Sequence, residues 1–308
     1  MQEIDGPLAE LNRQGLAAAT ALARRLGLPA GDPVVLSGRG NLLVRLAPAP
    51  VVARVATGSA WSRADPFAWL TREVAVARYI ADRGGPVVAP TTAAEPGPHR
   101  QDGFAISLWE CARPSGRQPG PAETGAALAA LHEAARDCPA ELGELSTARE
   151  QVSEGIDALD RTAIADPETV AALRAAHARV LAGLAGAGSA PVVLHGDAHA
   201  GNLLWTAARG FVWTDLEETC RGPVEWDLAT LSRAYQDPDA GQAALRGYAA
   251  RAGGHVPGVM TLVPFVRARE LEGAVWSLCM AHLYPARYRE VAAQLLAMVL
   301  AGPGAQGR

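Results

Sequence analysis

The chain has 308 residues, 49% of them apolar, and a formal net charge of −4. That length can bury one large core or two smaller ones, while the acidic balance and the lack of any basic cluster exclude a general nucleic-acid surface. All 28 basic side chains are arginines, which excludes chemistry through a lysine nucleophile or Schiff base and leaves the guanidinium as the only side-chain cation able to meet a phosphate.

The start, Met1-Gln2-Glu3-Ile4-Asp5, is acidic and carries no apolar run of the kind a secretory signal needs. Residues 8–26 place Leu8, Leu11, Leu22 and Leu26 among alanines and end at Gly27 and Pro29, which predicts a helix with a glycine stop. Residues 33–36, 42–46 and 51–55 are short apolar runs separated by turn residues, and they read as a three-stranded meander. Between the first two, Ser37-Gly38-Arg39-Gly40-Asn41 is a turn whose backbone N–H groups can face an anion; a plain hairpin turn is the other reading of the same residues. Asp65-Pro66 opens a helix, Asp65 as N-cap and Pro66 in the first turn, and it runs through Phe67, Leu70, Val74, Ala77 and Ile80 to Gly84-Gly85. Glu73 lies on this helix, either as a partner for Arg54 of Ala53-Arg54-Val55 or as a solvated charge beside Arg72. Residues 104–109 form another strand, which ends at Glu110-Cys111 and is followed by the loop Arg113-Pro114-Ser115-Gly116-Arg117.

Residues 121–135 form a helix with Leu128, Leu131 and His132 on adjacent turns, His132 being a packing residue. The alanine-rich residues 144–184 hold two helices, broken around residues 163–167. Two apolar runs follow, Val192-Val193-Leu194 and Phe211-Val212-Trp213, and each ends in polar residues: His195-Gly196-Asp197 after the first and Asp215 after the second, with Asn202 between. Read as a pair of short buried strands, they gather Asp197, Asn202 and Asp215 at one mouth. Two carboxylates and an amide suit a hard cation with oxygen ligands, of which Mg²⁺ is the usual one. His195-x-Asp197-x-His199 also alternates as zinc ligands on a strand would. Gly196 and Gly201 favour a loop, no third histidine follows at a useful spacing, and such a hydrolase leaves Asn202 and Asp215 unexplained. Helices over residues 225–234, 245–251, 262–283 and 291–300 complete the chain. The most apolar of these stretches is far below the ~20 residues of a membrane span. Cys111, Cys138, Cys220 and Cys279 are scattered with no C-x-x-C pair, as reduced thiols of a cytoplasmic protein are.

The interval from Asp197 to Asn202 matches the D-x-x-x-x-N of the protein-kinase catalytic loop, which a metal-holding aspartate follows. His195-Gly196-Asp197 in place of His-Arg-Asp, Asp215-Leu216-Glu217 in place of Asp-Phe-Gly, and then Gly222-Pro223-Val224-Glu225-Trp226-Asp227-Leu228-Ala229 resemble the aminoglycoside phosphotransferase and choline kinase group of small-molecule kinases. The resemblance is strong in this block and extends more weakly over nearly all of the chain.

It implies an α+β, bilobal protein-kinase-like fold, with a small antiparallel-sheet lobe over residues 1–111 ending in a hinge and a larger, mostly helical lobe over residues 112–308. It implies ATP or GTP under Ser37, Gly38, Gly40 and Asn41, with Arg54 in the place of the phosphate-binding lysine, Glu73 as its partner, and the backbone of Trp109, Glu110 and Cys111 on the adenine edge. Asp197 then orients the acceptor hydroxyl and takes its proton, Asn202 and Asp215 hold Mg²⁺, His195 braces the loop and Asp227 supports it from behind. The acceptor pocket falls to Glu217, Glu218, Arg267, Glu270 and Trp276, with Arg269 and Glu272 in the same segment. The implied partner is a small hydroxylated molecule, an antibiotic, sugar or amino alcohol, with no nucleic acid or membrane, for a cytoplasmic monomer or homodimer. The glutamates suit a polycationic aminoglycoside, whereas Arg267 and Arg269 favour a less cationic acceptor. A catalytically silent, kinase-like ligand-binding protein is the alternative, and only the Lys-to-Arg exchange at Arg54 speaks for it.

Overall fold

The computed structural model describes residues 6–301, so the acidic start read at residues 1–5 lies outside the described residues. The N-terminal lobe is built on a five-stranded antiparallel sheet of order β1-β2-β3-β5-β4, formed by β1 (Asp32–Ser37), β2 (Leu42–Ala47), β3 (Val51–Val55), β4 (His99–Gln101) and β5 (Phe104–Glu110). In β2 the alternating Leu42, Val44 and Leu46 are buried while Arg45 points to solvent. That period-two pattern supplies one apolar face, and α1 (Pro7–Arg25) covers it with Ala18, Ala19, Leu22 and Ala23. The one-turn helix α2 (Gly58–Ser62) follows β3, and then comes α3 (Pro66–Asp82), whose N-terminus is capped by the Asp65 carboxylate accepting from the N–H groups of Phe67 and Ala68. Neither α2 nor β4 carries enough periodicity to be read from its few residues.

The rest of the described chain is mainly helical: α4 (Pro121–Ala135), α5 (Val152–Arg161), α6 (Pro167–Leu184), and, after the central block, α7 (Glu225–Arg233), α8 (Pro238–Ala252), α9 (Val259–Leu283) and α10 (Pro285–Ala301). α9 is the hub, in contact with α5, α6, α7 and α10, so it is apolar on most of its circumference and shows little amphipathic contrast. The two lobes share a core: Val74, Ala77 and Ile80 of α3 pack in one cluster with Leu128, Trp213, Trp226 and Phe265. No helix among the described residues is long and apolar enough to cross a membrane.

The central block differs from the predicted strand pair. β6 (Val192–Leu194) pairs with β9 (Cys220–Gly222), and β7 (Leu203–Thr206) pairs with β8 (Gly210–Trp213). The reason is local: Leu203-Leu204-Trp205-Thr206 is itself a strand, joined to residues 210–213 by a short turn, and the hairpin takes the ladder that the first run was expected to supply. Asp197 and Asn202 are therefore on the loop between β6 and β7, and Asp215 follows β8.

Candidate functional site

The loop after β6 is held from beneath by one buried carboxylate. Asp227 on α7 is fully buried and accepts from His195 N–H at 2.7 Å, Gly196 N–H at 2.9 Å and His132 Nε2 at 2.9 Å. Trp226 adds an Nε1–H bond to the Gly196 carbonyl at 2.8 Å. Gly196 has φ 93°, and a Cβ there would lie 2.1 Å from the Glu218 carbonyl oxygen, so the turn that aims Asp197 requires glycine. His195 accepts the Asp197 N–H on Nδ1 and lies 3.0 Å from the Thr214 carbonyl through Nε2, which sets the neutral tautomer with its proton on Nε2. Burial lowers its pKa, in keeping with that neutral state. Both ring nitrogens are thus spent on the backbone, which removes His195 from a zinc set with Asp197 and His199. Among the described residues, no group of three or more His, Cys, Asp or Glu is placed to hold a metal ion.

Asp197 reaches into a cleft of about 490 Å³ between the lobes, lined by five carboxylates, Asp197, Asp215, Glu217, Glu218 and Glu272, against three guanidiniums, Arg54, Arg63 and Arg269. Arg54 on β3 meets Glu73 of α3 at 3.3 Å, Asp215 at 2.6 Å, and Glu217. Burial opposes its charge, but Asp215 and Glu73 outweigh that and raise its pKa. Burial pushes the Glu73 carboxyl up to about 7 against the pull of Arg54. Arg63 pairs with Glu217, bonds Gln151 Oε1 at 3.0 Å and stacks 4.2 Å over the Trp69 ring; its burial brings it down to about 10. Arg269 bonds Asp197 Oδ1 at 2.6 Å and Glu218 at 3.0 Å, with Glu272 at 3.4 Å. Burial would raise the Asp197 pKa, yet Arg269 and His199, 3.3 Å away, hold it well below the usual carboxylate range. Asp215 sits in the left-handed region at φ 63°, a conformation uncommon outside glycine and tolerated by aspartate better than by most residues.

The structure brings Ser37, Gly40, Asn41, Arg54, Asp197, Asp215, Glu217, Glu218 and Trp276 to this cleft. Asn41 fixes the loop after β1: its Oδ1 accepts from the N–H groups of Thr57 and Ser59, and its Nδ2 bonds Glu217 at 2.7 Å. Gly38 turns its carbonyl to Asn12. Asn202 stands behind Asp197, its Nδ2 on the Asp197 carbonyl at 3.0 Å, and its own carbonyl accepts from Thr214 N–H at 2.8 Å, next to Asp215. Glu110 and Cys111 border a separate cavity of about 330 Å³ against Val88, Thr206 and Val212. The Trp109 side chain is buried in the core with Nε1–H on Ser107 Oγ at 2.9 Å, which leaves only its backbone for the adenine edge, as expected of a residue whose side chain has no part in that contact.

Arg267 and Glu270 are the clear corrections. They line another cavity, of about 660 Å³, with residues of α6, α8 and α10, because positions two apart on a helix differ by about 200°: Arg269, Glu272, Gly273 and Trp276 face the cleft and Arg267 and Glu270 face away. Arg63 and Gln151 went unnoticed in the sequence, since no motif contains them and only the fold brings them within reach of Glu217 and Glu218. Asp215 and the Oδ1 atom of Asn202 are hard oxygen donors, a set whose chemistry fits a divalent cation such as Mg²⁺.

A small antiparallel-sheet lobe over a helical lobe, with a buried Arg–Glu pair on one side of the cleft and an Asp-bearing, Asn-braced loop on the other, defines a small-molecule kinase of the protein-kinase-like class. The model of the phosphotransferase enzyme family (APH) matches residues 34–263, and the chain belongs to that family. Among solved structures, the fold is similar to that of amicoumacin kinase in complex with AMP-PNP, Ca²⁺ and Ami, at TM-score 0.71 and 12% identity over 95% of each chain. A choline/ethanolamine kinase family protein from Mesorhizobium loti superposes at TM-score 0.60 with 19% identity over 96% of each chain. An aminoglycoside phosphotransferase from Streptomyces rimosus, in complex with ADP and streptomycin, does so at 0.55 with 21% identity over 83% of this chain and 98% of that one. No curated protein matches the chain by sequence. The protein is a phosphotransferase of that family, acting on small molecules.

Proposed function

We propose that the protein transfers the γ-phosphoryl group of ATP or GTP to a hydroxyl of a small molecule seated in the cleft. The observation that carries this is the placement of Asp197 opposite the Arg54–Glu73 pair across one cavity of about 490 Å³. On this reading the lobe of residues 1–111 takes the nucleotide, its phosphates under Ser37 to Asn41 and beside Arg54 and its base in the cavity bordered by Glu110 and Cys111. The bound AMP-PNP and ADP of the kinase and phosphotransferase described above support a nucleotide donor. Asn202 and Asp215 would hold Mg²⁺, which supplies charge neutralisation between the phosphates. Asp197 orients the acceptor hydroxyl; with Arg269 keeping it a weak base, it takes the proton only as the bond to phosphorus forms, as a loose transition state permits. His195 and Asp227 keep that carboxylate in place. The free cysteines and the nucleotide donor suit a cytoplasmic enzyme.

Titration calorimetry with MgATP and MgGTP, on the parent and on Asp215→Ala, tests the site without knowledge of the acceptor. Magnesium-dependent binding that weakens by at least about tenfold in the variant is the expected outcome. Failure of the parent to bind either nucleotide would sink the proposal.

A further inference from the structure

The carboxylates of the cleft look, in the sequence, like a cage for a polycation. Their partners in the structure say otherwise. Glu217 gives one oxygen to Arg63 and the other to Arg54 and Asn41. Glu218 has Gln151 Nε2 on Oε1 at 3.1 Å and Arg269 on Oε2 at 3.0 Å. Glu272 has the same two partners, at 3.3 Å and 3.4 Å. Asp197 has Arg269 on Oδ1, and His199 and Asn202 on Oδ2. Both oxygens of each of these four carboxylates are therefore engaged from within the protein, and the fifth, Asp215, faces Arg54 and belongs to the metal on the proposed function.

The guanidiniums that do this cannot move aside cheaply. The Arg63 and Arg269 side chains are 5% and 8% exposed, so an ammonium that took their place would strand a buried charge, a loss larger than the pair it gained. Burial and the neighbouring Glu272 also push Glu218 up to about 8, and Glu272 is raised too, so at neutral pH the acid side carries less than its formal charge. What the cleft offers an acceptor instead is the half-buried Trp276, held edge-to-face by Tyr288 at 5.0 Å, together with Gly273 and Ser277 on the same wall. An aromatic side chain with hydroxyl and small neighbours can stack on and hydrogen-bond a hydroxylated ring, and this wall adds no carboxylate to draw a cation.

We propose, on the reading of the cleft as a kinase site, that its acceptor is an uncharged hydroxylated ring that docks on Trp276, and that the internal arginine–carboxylate pairing excludes polycationic acceptors. The specificity is thus negative, set by what occupies the carboxylates.

Kanamycin, a hydroxylated polycation, is the probe. Its binding is measured by calorimetry in the presence and absence of MgAMP-PNP on the parent, Arg63→Gln and Gly273→Asp. Arg63→Gln frees an oxygen of Glu217. Gly273→Asp adds a carboxylate with no arginine assigned to it, at a position where a Cβ meets nothing closer than Leu295 Cδ1 at 3.9 Å, so it keeps the test open if Arg63→Gln fails to fold. The expected result is a parent Kd weaker than about 1 mM and at least about tenfold tighter binding in the folded variants. A parent that binds kanamycin in the micromolar range, or becomes able to phosphorylate it with ATP, overturns the proposal. So does a parent that ignores kanamycin while neither folded variant gains affinity, because pairing would then not be the cause. MgAMP-PNP binding is read in the same titrations, so a failure of the kinase reading shows separately from a failure of the charge argument.

Discussion

Replacing Asp227 with alanine removes the acceptor that the loop before Asp197 hangs from. The carboxylate is fully buried and takes three hydrogen bonds, from His195 N–H, Gly196 N–H and His132 Nε2, at 2.7, 2.9 and 2.9 Å. Bonds to a charged acceptor contribute about 1.5–3 kcal/mol each, and buried donors left without a partner lose the full desolvation penalty. Allowing for shared geometry, Asp227→Ala should destabilise the protein by about 4–7 kcal/mol. That is a large part of the roughly 5–15 kcal/mol that holds a domain folded. In a chain of 308 residues it corresponds to a drop of about 6–11 °C in melting temperature. Asp227→Asn keeps the shape but turns an NH₂ group toward one of the backbone donors, so it should lie between the parent and the alanine variant. Turnover should fall further than stability alone explains, by about a hundredfold or more at a temperature where the variant is folded, since His195 and Gly196 set the direction of Asp197. Circular-dichroism melts paired with a phosphoryl-transfer or nucleotide-hydrolysis assay give both numbers. An alanine variant that melts within about 2 °C of the parent and keeps its turnover would refute the reasoning.

Three further outcomes follow from the site. Arg54→Lys should raise the nucleotide KM by about tenfold, because an ammonium cannot span Glu73, Asp215 and Glu217 as the planar guanidinium does; steady-state kinetics check it, and an unchanged KM contradicts it. Gly58→Ala places a Cβ 2.5 Å from the Gly40 carbonyl oxygen, so the loop over residues 37–41 must shift and nucleotide affinity should fall while the melting temperature changes little; equal affinity by calorimetry speaks against a phosphate role for that loop. Glu73 and Glu218, raised to about 7 and about 8 from 4.5, bind protons more tightly in the folded chain than in the unfolded one. Their contribution to stability is present below pH 4.5 and lost as pH rises through those two values. Glu218→Gln removes the larger of the two, so between about pH 5 and pH 9 the parent's melting temperature should fall more steeply than the variant's. Groups that do not touch Glu218, His195 and His199 among them, cancel in that difference, while Glu272, which shares Arg269 and Gln151 with Glu218 and helps to raise it, adds to it. Parallel curves would exclude a raised Glu218.

The parts of this molecule that the sequence discloses are those written in local code. Leu42, Val44 and Leu46 alternate, Asp65-Pro66 caps a helix, and the spacing from Asp197 to Asn202 fixes a loop; each survives in the structure because a few adjacent residues decide it. The misplaced features depend on contacts the chain does not print. Whether residues 192–194 pair with residues 211–213 or with residues 220–222 is a competition between two ladders of similar apolar strands, and the hairpin over residues 203–213 wins because its turn closes the shortest loop. Arg267 and Glu270 went to the wrong cavity for a different reason. α9 is apolar nearly all round, so its hydrophobic pattern gives no hint of which polar face turns to the cleft. Arg63 and Gln151 had no local signal at all.

The three arginines of the cleft bind elements far apart in the chain, and this shapes how the site loads. Arg54 joins β3 to Glu73 on α3 and to Asp215 and Glu217 past β8. Arg63 reaches Glu217 and Gln151, and Arg269 carries α9 to Asp197 and Glu218. On the proposed function, Arg54 and Asp215 each have a second use, one for phosphate and one for a divalent cation, yet they are bonded to each other at 2.6 Å. A nucleotide arriving without metal draws Arg54 away and leaves Asp215 exposed to phosphate of like charge, whereas metal alone leaves Arg54 beside a site already positive. Arriving together, they replace one ion pair with two, so each raises the affinity of the other through the single exchange at Arg54. Removing Arg54 should therefore deepen the magnesium dependence of nucleotide binding, because Asp215 is then left facing the phosphates with only the metal to neutralise it.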